Sequence, residues 1–147
     1  MIGKLDRAKA VENLRAAVAY LKSRTDSNGK VGAVGFCWGG GMTDLLAANE
    51  PTLAAAAPFY GPVPPPDQAK NIKAKLLLHY AENDNFVNPG VAGFEATLKS
   101  AGVSYTKYVY PGTQHAFHND TAGARYNKEA AELAWSRTLA FFKETLG

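Results

Sequence analysis

Three side chains that could share one proton stand far apart in this sequence: a thiol at Cys37, a carboxylate at Asp84 and an imidazole at His115. Cys37 falls where the apolar run Val31-Gly32-Ala33-Val34-Gly35-Phe36 gives way to Trp38-Gly39-Gly40-Gly41. That pattern reads as a buried strand, a sharp turn and a helix. Such a turn lifts a nucleophilic side chain clear of the backbone, and small neighbours let the chain bend without a Cβ clash. A thiol attacks a carbonyl well only as thiolate, which a nearby imidazole and a helix amino end both favour. A carboxylate behind the imidazole would hold its tautomer and offset the imidazolium charge. Acyl transfer also develops an oxyanion, and the backbone N–H of Trp38, at the helix start, is the natural donor for it.

The elements must carry these groups to one place. Asp6 can cap a helix over 7–23 with Val11, Leu14, Val18 and Leu21 on one face, followed by a turn at Asp26-Ser27-Asn28-Gly29. A strand over 30–36, a helix over 40–49 stopping before Pro51 and an apolar strand over 53–59 come next. Gly61-Pro62-Val63-Pro64-Pro65-Pro66 reads as a stiff loop. Strands are predicted over 74–80 and 105–110 and helices over 90–101 and 126–146, the last with Trp135, Leu139 and Phe142 as core at helical spacing. Strands alternate with helices, which predicts an α/β fold: about four parallel strands, helices on both faces, and functional loops at the carboxyl ends of the strands. Cys37, Asp84 and His115 each fall just past such an end. Their order in the chain, nucleophile, acid, base, is that of hydrolases built on a parallel sheet.

Composition narrows the partners. With 147 residues, 46% apolar and 20% charged, the chain suits a single domain over 1–147. Its net charge of +3 comes from scattered lysines and arginines, with no basic stripe of the kind that tracks phosphates, so no nucleic acid is expected. One cysteine makes no internal disulfide, and neither a signal-peptide pattern nor a membrane-length apolar stretch is present. A cytoplasmic location and no membrane partner are expected. The Gly39-Gly40-Gly41 run lacks the Lys-Ser or Lys-Thr of a phosphate loop, and neither Cys37 nor the His115, His118 pair has companions for a metal, so no cofactor is expected.

From about residue 10 to the end, the chain resembles the dienelactone hydrolase family of the α/β-hydrolase fold. The resemblance rests on Gly35-Phe36-Cys37-Trp38-Gly39-Gly40, on His79-Tyr80-Ala81-Glu82-Asn83-Asp84 and on Tyr110-Pro111-Gly112-Thr113-Gln114-His115-Ala116-Phe117. It implies a Cys37, Asp84, His115 triad acting on lactones or small esters through an acyl-thioester, without metal or organic cofactor. Members of the family supply several strands before the nucleophile strand, together with a second oxyanion donor and a glutamate that contacts the cysteine. This sequence starts one helix before the cysteine, which makes the expected fold a truncated α/β-hydrolase lacking the amino-terminal strands. It has Asn119 where the family alignment expects a substrate-binding arginine, so small esters generally are a better expectation than dienelactone. The strand over 31–36 would be left as a bare apolar edge, and such an edge invites pairing, most simply in a two-fold homodimer with one continuous sheet.

Each candidate also has a plainer reading. Cys37 can be a packing residue, and Asp84 can simply cap the turn over 83–89. Glu82 is the second candidate acid, expected to be solvated or paired with a surface lysine. His118 is a rival to His115 and is expected at the rim, whereas His79, inside a strand, is expected to be a satisfied core histidine. Tyr60, Phe86, Phe117 and Tyr126 lie in or beside the same loops and could line an apolar acyl pocket, with the Trp38 ring as a further wall; Phe86 and Phe117 could equally anchor their loops. At the level of the whole chain, the alternative to a hydrolase is a non-catalytic interaction module, or a fragment that works only beside a missing amino-terminal half.

Overall fold

Alternating apolar strands and helices wind into one four-stranded sheet in the computed structural model, which describes residues 5–147. Helix α1 (Arg7–Ser23) leads to β1 (Gly32–Phe36), α2 (Trp38–Asn49), β2 (Ala55–Phe59), the short α3 (Pro66–Ala69), β3 (Lys75–Asn83), α4 (Asn88–Ser100), β4 (Tyr105–Gln114) and α5 (Lys128–Leu146). The strands lie in the order β1-β2-β3-β4, and every neighbouring pair is parallel. Leu46, Leu76, Leu78, Phe94 and Leu98 form the core between the sheet and α2 and α4, with Val18 of α1 joining it. The opposite face carries a second cluster, Phe59, Tyr60, Ala81, Tyr110 and Phe117 with Ala134 of α5.

Local chemistry sets the boundaries. The Asp6 carboxylate accepts from the N–H groups of Ala8 and Lys9 at 2.9 and 3.1 Å, and Asn127 caps α5 through Ala130 N–H at 3.0 Å, so α5 starts two residues later than predicted. Helix α2 starts earlier than predicted, at Trp38, because the turn is completed within Cys37 alone (φ 55°). Pro66, read as loop, instead opens α3: its fixed φ suits a first helical turn and its missing N–H costs nothing there. Strands β3 and β4 both run past their predicted ends and pair Asn83 with Gln114 across a bulge.

Two expectations about packing fail. In α1 only Val11 and Val18 are buried, whereas Leu14 and Leu21 are exposed, because the helix rests on α2 along a narrow line of residues seven apart. In α5 the buried residues are Ala131, Ala134 and Thr138, while Trp135 and Leu139 remain 38% and 53% exposed and Phe142 is half-buried against Gly32. Small side chains bring α5 close to the sheet, while Trp135 shares a cleft with Phe36 and Phe142 lies against Gly32, both beside β1. There Val34 and Phe36 are also exposed, and β1 hydrogen-bonds to β2 alone among the described residues.

His79 is a satisfied core histidine, as expected. Thr138 donates its single hydroxyl proton to Ala134 O (2.9 Å), so its oxygen accepts from His79 Nε2 (3.0 Å), and Nδ1 is left to accept from the Tyr110 hydroxyl (2.8 Å). Burial first, with Arg137 and His118 adding to it, pulls this imidazole down to about 3, which keeps it neutral.

Asp44 of α2 is the opposite case. Both carboxylate oxygens and the nearby Tyr80 hydroxyl are buried with no hydrogen-bond partner among the described residues, and burial holds the Asp44 carboxyl well above its usual range. The unfolded chain loses this proton near pH 4, while the folded chain keeps it to much higher pH. Stability from this group is therefore complete below about pH 4 and falls by up to about 1.4 kcal/mol per pH unit above it, until the folded carboxyl ionises. Asp44→Asn is expected to remove that slope: its advantage over wild type in urea unfolding grows from pH 5 to pH 8. A constant difference would refute the assignment.

Candidate active site

The strand β1 ends in a turn that only small neighbours allow. A Cβ on Gly35 would collide with Gly39 O and come within 2.5 Å of the Thr43 hydroxyl, so α2 can fold back directly over β1. Gly39, in contrast, has open space at its Cβ position, and its smallness is not required. The turn leaves Cys37 exposed at the amino end of α2, where the first backbone N–H groups have no intrahelical acceptor and carry the positive end of the helix dipole. Trp38 N–H is the first of them.

The carboxyl ends of β3 and β4 deliver the other two groups. Asp84, 3% exposed, accepts through Oδ1 from Phe86 and Val87 N–H, both at 3.1 Å, and its Oδ2 lies 2.6 Å from His115 Nδ1. The carboxylate therefore caps the turn and faces the imidazole at once. With Nδ1–H donated to Asp84, the remaining nitrogen, Nε2, points to Cys37 Sγ at 3.1 Å. Three residues separated by up to 78 positions thus form one unbroken hydrogen-bonded line.

Two side chains hold the loops that carry this line. Glu82, expected to be solvated or paired with a surface lysine, is exposed and also accepts from Gly112 N–H at 2.8 Å, tying the loop of Asp84 to the loop of His115. Asn88 donates to Ala81 O and Glu82 O at 2.9 and 3.0 Å and secures the end of β3. Neither role has a sequence signature, because each joins a side chain to a backbone atom made available by the fold.

A cleft of about 490 Å³ opens beside the thiol, walled by Phe36, Tyr60, Ala116, His118 and Asn119. Tyr60 lines it with a ring 5.0 Å from that of His115, and burial pushes its phenol well above the ordinary range. Phe117 does not line it: the side chain is fully buried, packed 4.9 Å from Tyr110, and serves as a loop anchor. Phe86 is 75% exposed and meets His115 edge-on at 6.5 Å, which places it on the rim. The Trp38 ring lines a different, smaller cavity with Pro62 and Pro64, on the α1 side of the turn. His118 is a wall of the cleft, half-buried between Phe36 and Trp135, and burial lowers its pKa below the ordinary value. Asn119 uses its side-chain oxygen on Thr121 N–H and hydroxyl at 3.0 and 2.8 Å.

Backbone conformation singles out the same place. Among the described residues, the non-glycine positions with φ above zero are Cys37, Tyr60 and Ala116, and all three line this cleft. Each such conformation costs on the order of 1–3 kcal/mol, and strain of this kind gathers at functional sites. Among the described residues no helix is long and apolar enough to cross a membrane.

Comparison with known proteins follows the same line. Residues 1–146 match the profile of the dienelactone hydrolase family. Protein usf of Aquifex pyrophilus is 38% identical over 147 residues, covering 97% of this chain and 63% of its own length. A Saccharolobus solfataricus protein named carboxymethylenebutenolidase is 38% identical over 146 residues, covering 95% of this chain and 54% of its own. The crystal structure of a Klebsiella pneumoniae protein named dienelactone hydrolase superposes with a TM-score of 0.87 at 29% identity, over 97% of this chain and 64% of that one. The chain thus spans between about half and two-thirds of the length of these relatives. A profile that takes in the elbow, the sheet and all three loops leaves one assignment: the chain belongs to the dienelactone hydrolase family.

Proposed function

We propose that this chain hydrolyses small carboxylic esters and lactones, with Cys37 as nucleophile, His115 as general base and acid, and Asp84 as the group that orients His115. The observation that carries the reading is the line from Asp84 Oδ2 through His115 to Cys37 Sγ, with links of 2.6 and 3.1 Å. His115 Nε2 takes the thiol proton as sulfur attacks the carbonyl carbon, and Trp38 N–H donates to the resulting oxyanion. Collapse of the tetrahedral adduct breaks the bond to the leaving oxygen, which takes the proton from Nε2 and leaves a thioester on Cys37. Water then gives a proton to Nε2 and attacks the thioester; the acid leaves and the proton returns to sulfur. The name of the Saccharolobus solfataricus relative denotes action on a butenolide, a lactone, which supports a cyclic ester as one substrate.

The reading is tested by trapping the thioester. Mixed with a short-chain nitrophenyl ester and quenched in acid, the protein is expected to gain one acyl mass on the peptide that contains Cys37. Turnover with no adduct on that peptide, and unaffected by alkylation of the thiol, would remove Cys37 from the mechanism. A reducing, cytoplasmic setting suits such a thiol.

Assembly belongs to the same reading: two copies pair through their β1 edges. What supports it is the β1 edge itself, which pairs on one side only among the described residues and leaves Val34 exposed along it. Sedimentation is expected to give a dimer that Val34→Lys dissociates; a monomer at micromolar concentration would exclude the pairing. The rival reading, a binding module without chemistry, predicts the same dimer and no acyl adduct.

A further inference from the structure

The cleft beside Cys37 does not end at His118. A second one, about 430 Å³, continues from Phe36, His118 and Asp120 to Tyr126 and to Trp135 and Glu132 of α5. Shared walls join the two into a single groove that starts at the thiol. Its floor is aromatic: the ring centroid of His118 lies 5.0 Å from that of Phe36 and 5.8 Å from that of Trp135.

Its charge runs against that of the chain. The sequence has 16 lysines and arginines against 13 acidic residues, yet among the described residues neither cleft is lined by a lysine or arginine, and both are lined by Asp120. His118 is held below its ordinary pKa by burial, the opposing pull of Asp120 notwithstanding, and is neutral at pH 7 and above. The full charges lining the groove are therefore the carboxylates of Asp120 and Glu132; Glu132 is paired with Lys128 Nζ at 3.8 Å, so the carboxylate without an ion-pair partner among the described residues is that of Asp120. An acyl chain ending in its own carboxylate would give up water against aromatic rings, find no lysine or arginine in the lining, and face the unpaired carboxylate of Asp120. A neutral chain meets only the apolar walls. A quaternary ammonium group would gain both the ring faces and the carboxylate of Asp120.

Building on the hydrolase reading, we propose that this groove sorts esters by the charge of their acyl chain, accepting neutral and cationic chains and rejecting those that bear a carboxylate. Such selectivity would separate this chain from the carboxyl-bearing lactone in the name of its Saccharolobus solfataricus relative.

The test compares matched nitrophenyl esters: hexanoate, the adipate half-ester and 6-(trimethylammonio)hexanoate. At low salt, kcat/KM for the adipate half-ester is expected to be at least about tenfold below that for hexanoate, and the gap is expected to narrow in 0.5 M NaCl. Asp120→Asn, which leaves the Lys128–Glu132 pair intact, is expected to raise the adipate-to-hexanoate ratio by about threefold or more, a readout that partial misfolding does not move. A second arm needs no catalysis: tryptophan emission of the Cys37→Ala protein is titrated with phenyltrimethylammonium and with phenylacetate. The ammonium is expected to bind at least about fivefold more tightly. Equal kcat/KM for adipate and hexanoate, or equal binding of the two aromatic ions, would overturn the proposal. If no ester is cleaved at all, the hydrolase reading falls, and the emission titration still decides the selectivity.

Discussion

Cys37→Ala is expected to lose about 10⁴–10⁶ in kcat on a nitrophenyl ester, leaving only a slow residue above the buffer rate. The size of the effect follows from what remains. His115 Nε2 would face a methyl group, and among the described residues no other thiol exists, nor does any hydroxyl hydrogen-bond to that nitrogen. Oxyanion stabilisation by Trp38 N–H and binding in the cleft would persist, but with no nucleophile they could accelerate only direct attack by water. Alanine keeps the elbow, since its Cβ occupies the place of the cysteine Cβ at the same φ of 55°. Circular dichroism and the urea midpoint are therefore expected to change little, which separates lost chemistry from lost fold. Cys37→Ser serves as a graded control, because a hydroxyl in place of the thiol beside the imidazole retains a proton to give but is a weaker nucleophile than sulfur. Hydrolysis by Cys37→Ala within threefold of wild type would sink the triad reading.

The elements that place this cysteine were legible in the sequence because each has a local cause. Largely apolar runs that become strands of five to ten residues, bounded by glycine, proline or capping side chains, alternate with helices, and that alternation dictates a parallel sheet. The elbow could be read from Gly35, whose Cβ would strike Gly39 O, although nothing in the spacing of the glycines tells that Gly39 itself is not sterically required. Asp84 and His115 could be located as groups past strand ends, since a parallel sheet gathers those ends on one side.

Long-range environment was not legible. Phe86 and Phe117 are both phenylalanines in loops beside His115, yet one is 75% exposed and the other fully buried, a difference set by whether β4 and α5 close over the ring. Asp44 sits mid-helix in a pattern that admits an exposed carboxylate, and only the packing of α2 against the sheet buries it. Trp135 and Leu139 have helical core spacing yet are exposed, Trp135 in the cleft beside Phe36 of β1, and spacing carries no information about which strands stand opposite. Glu82 finds its partner in a backbone N–H 30 residues away, made available by the loop at Gly112.

Asp84→Asn is expected to lower kcat by about 10³–10⁴ while leaving the fold in place, and the reason lies in the two tasks of the carboxylate. An asparagine can keep its carbonyl oxygen on the N–H groups of Phe86 and Val87, preserving the turn that Oδ1 now caps. Its amide then points two donor hydrogens at His115 Nδ1, where Oδ2 now accepts at 2.6 Å. Nδ1 must become the acceptor, the ring proton moves to Nε2, and Nε2–H confronts the sulfur with no lone pair to receive its proton. The base is lost through its tautomer, without displacement of the ring. Asp84→Ala removes both tasks, so beyond a similar fall in rate it is expected to lose about 1–3 kcal/mol of stability from two uncapped backbone N–H groups, read as a lower urea midpoint. A purely structural Asp84, one that only caps the turn, predicts the reverse pattern: Asn near wild type in rate and Ala slow in proportion to its unfolding. Near-wild-type turnover by Asp84→Asn, with the urea midpoint unchanged, would therefore assign the residue to the turn alone and require another group to orient His115.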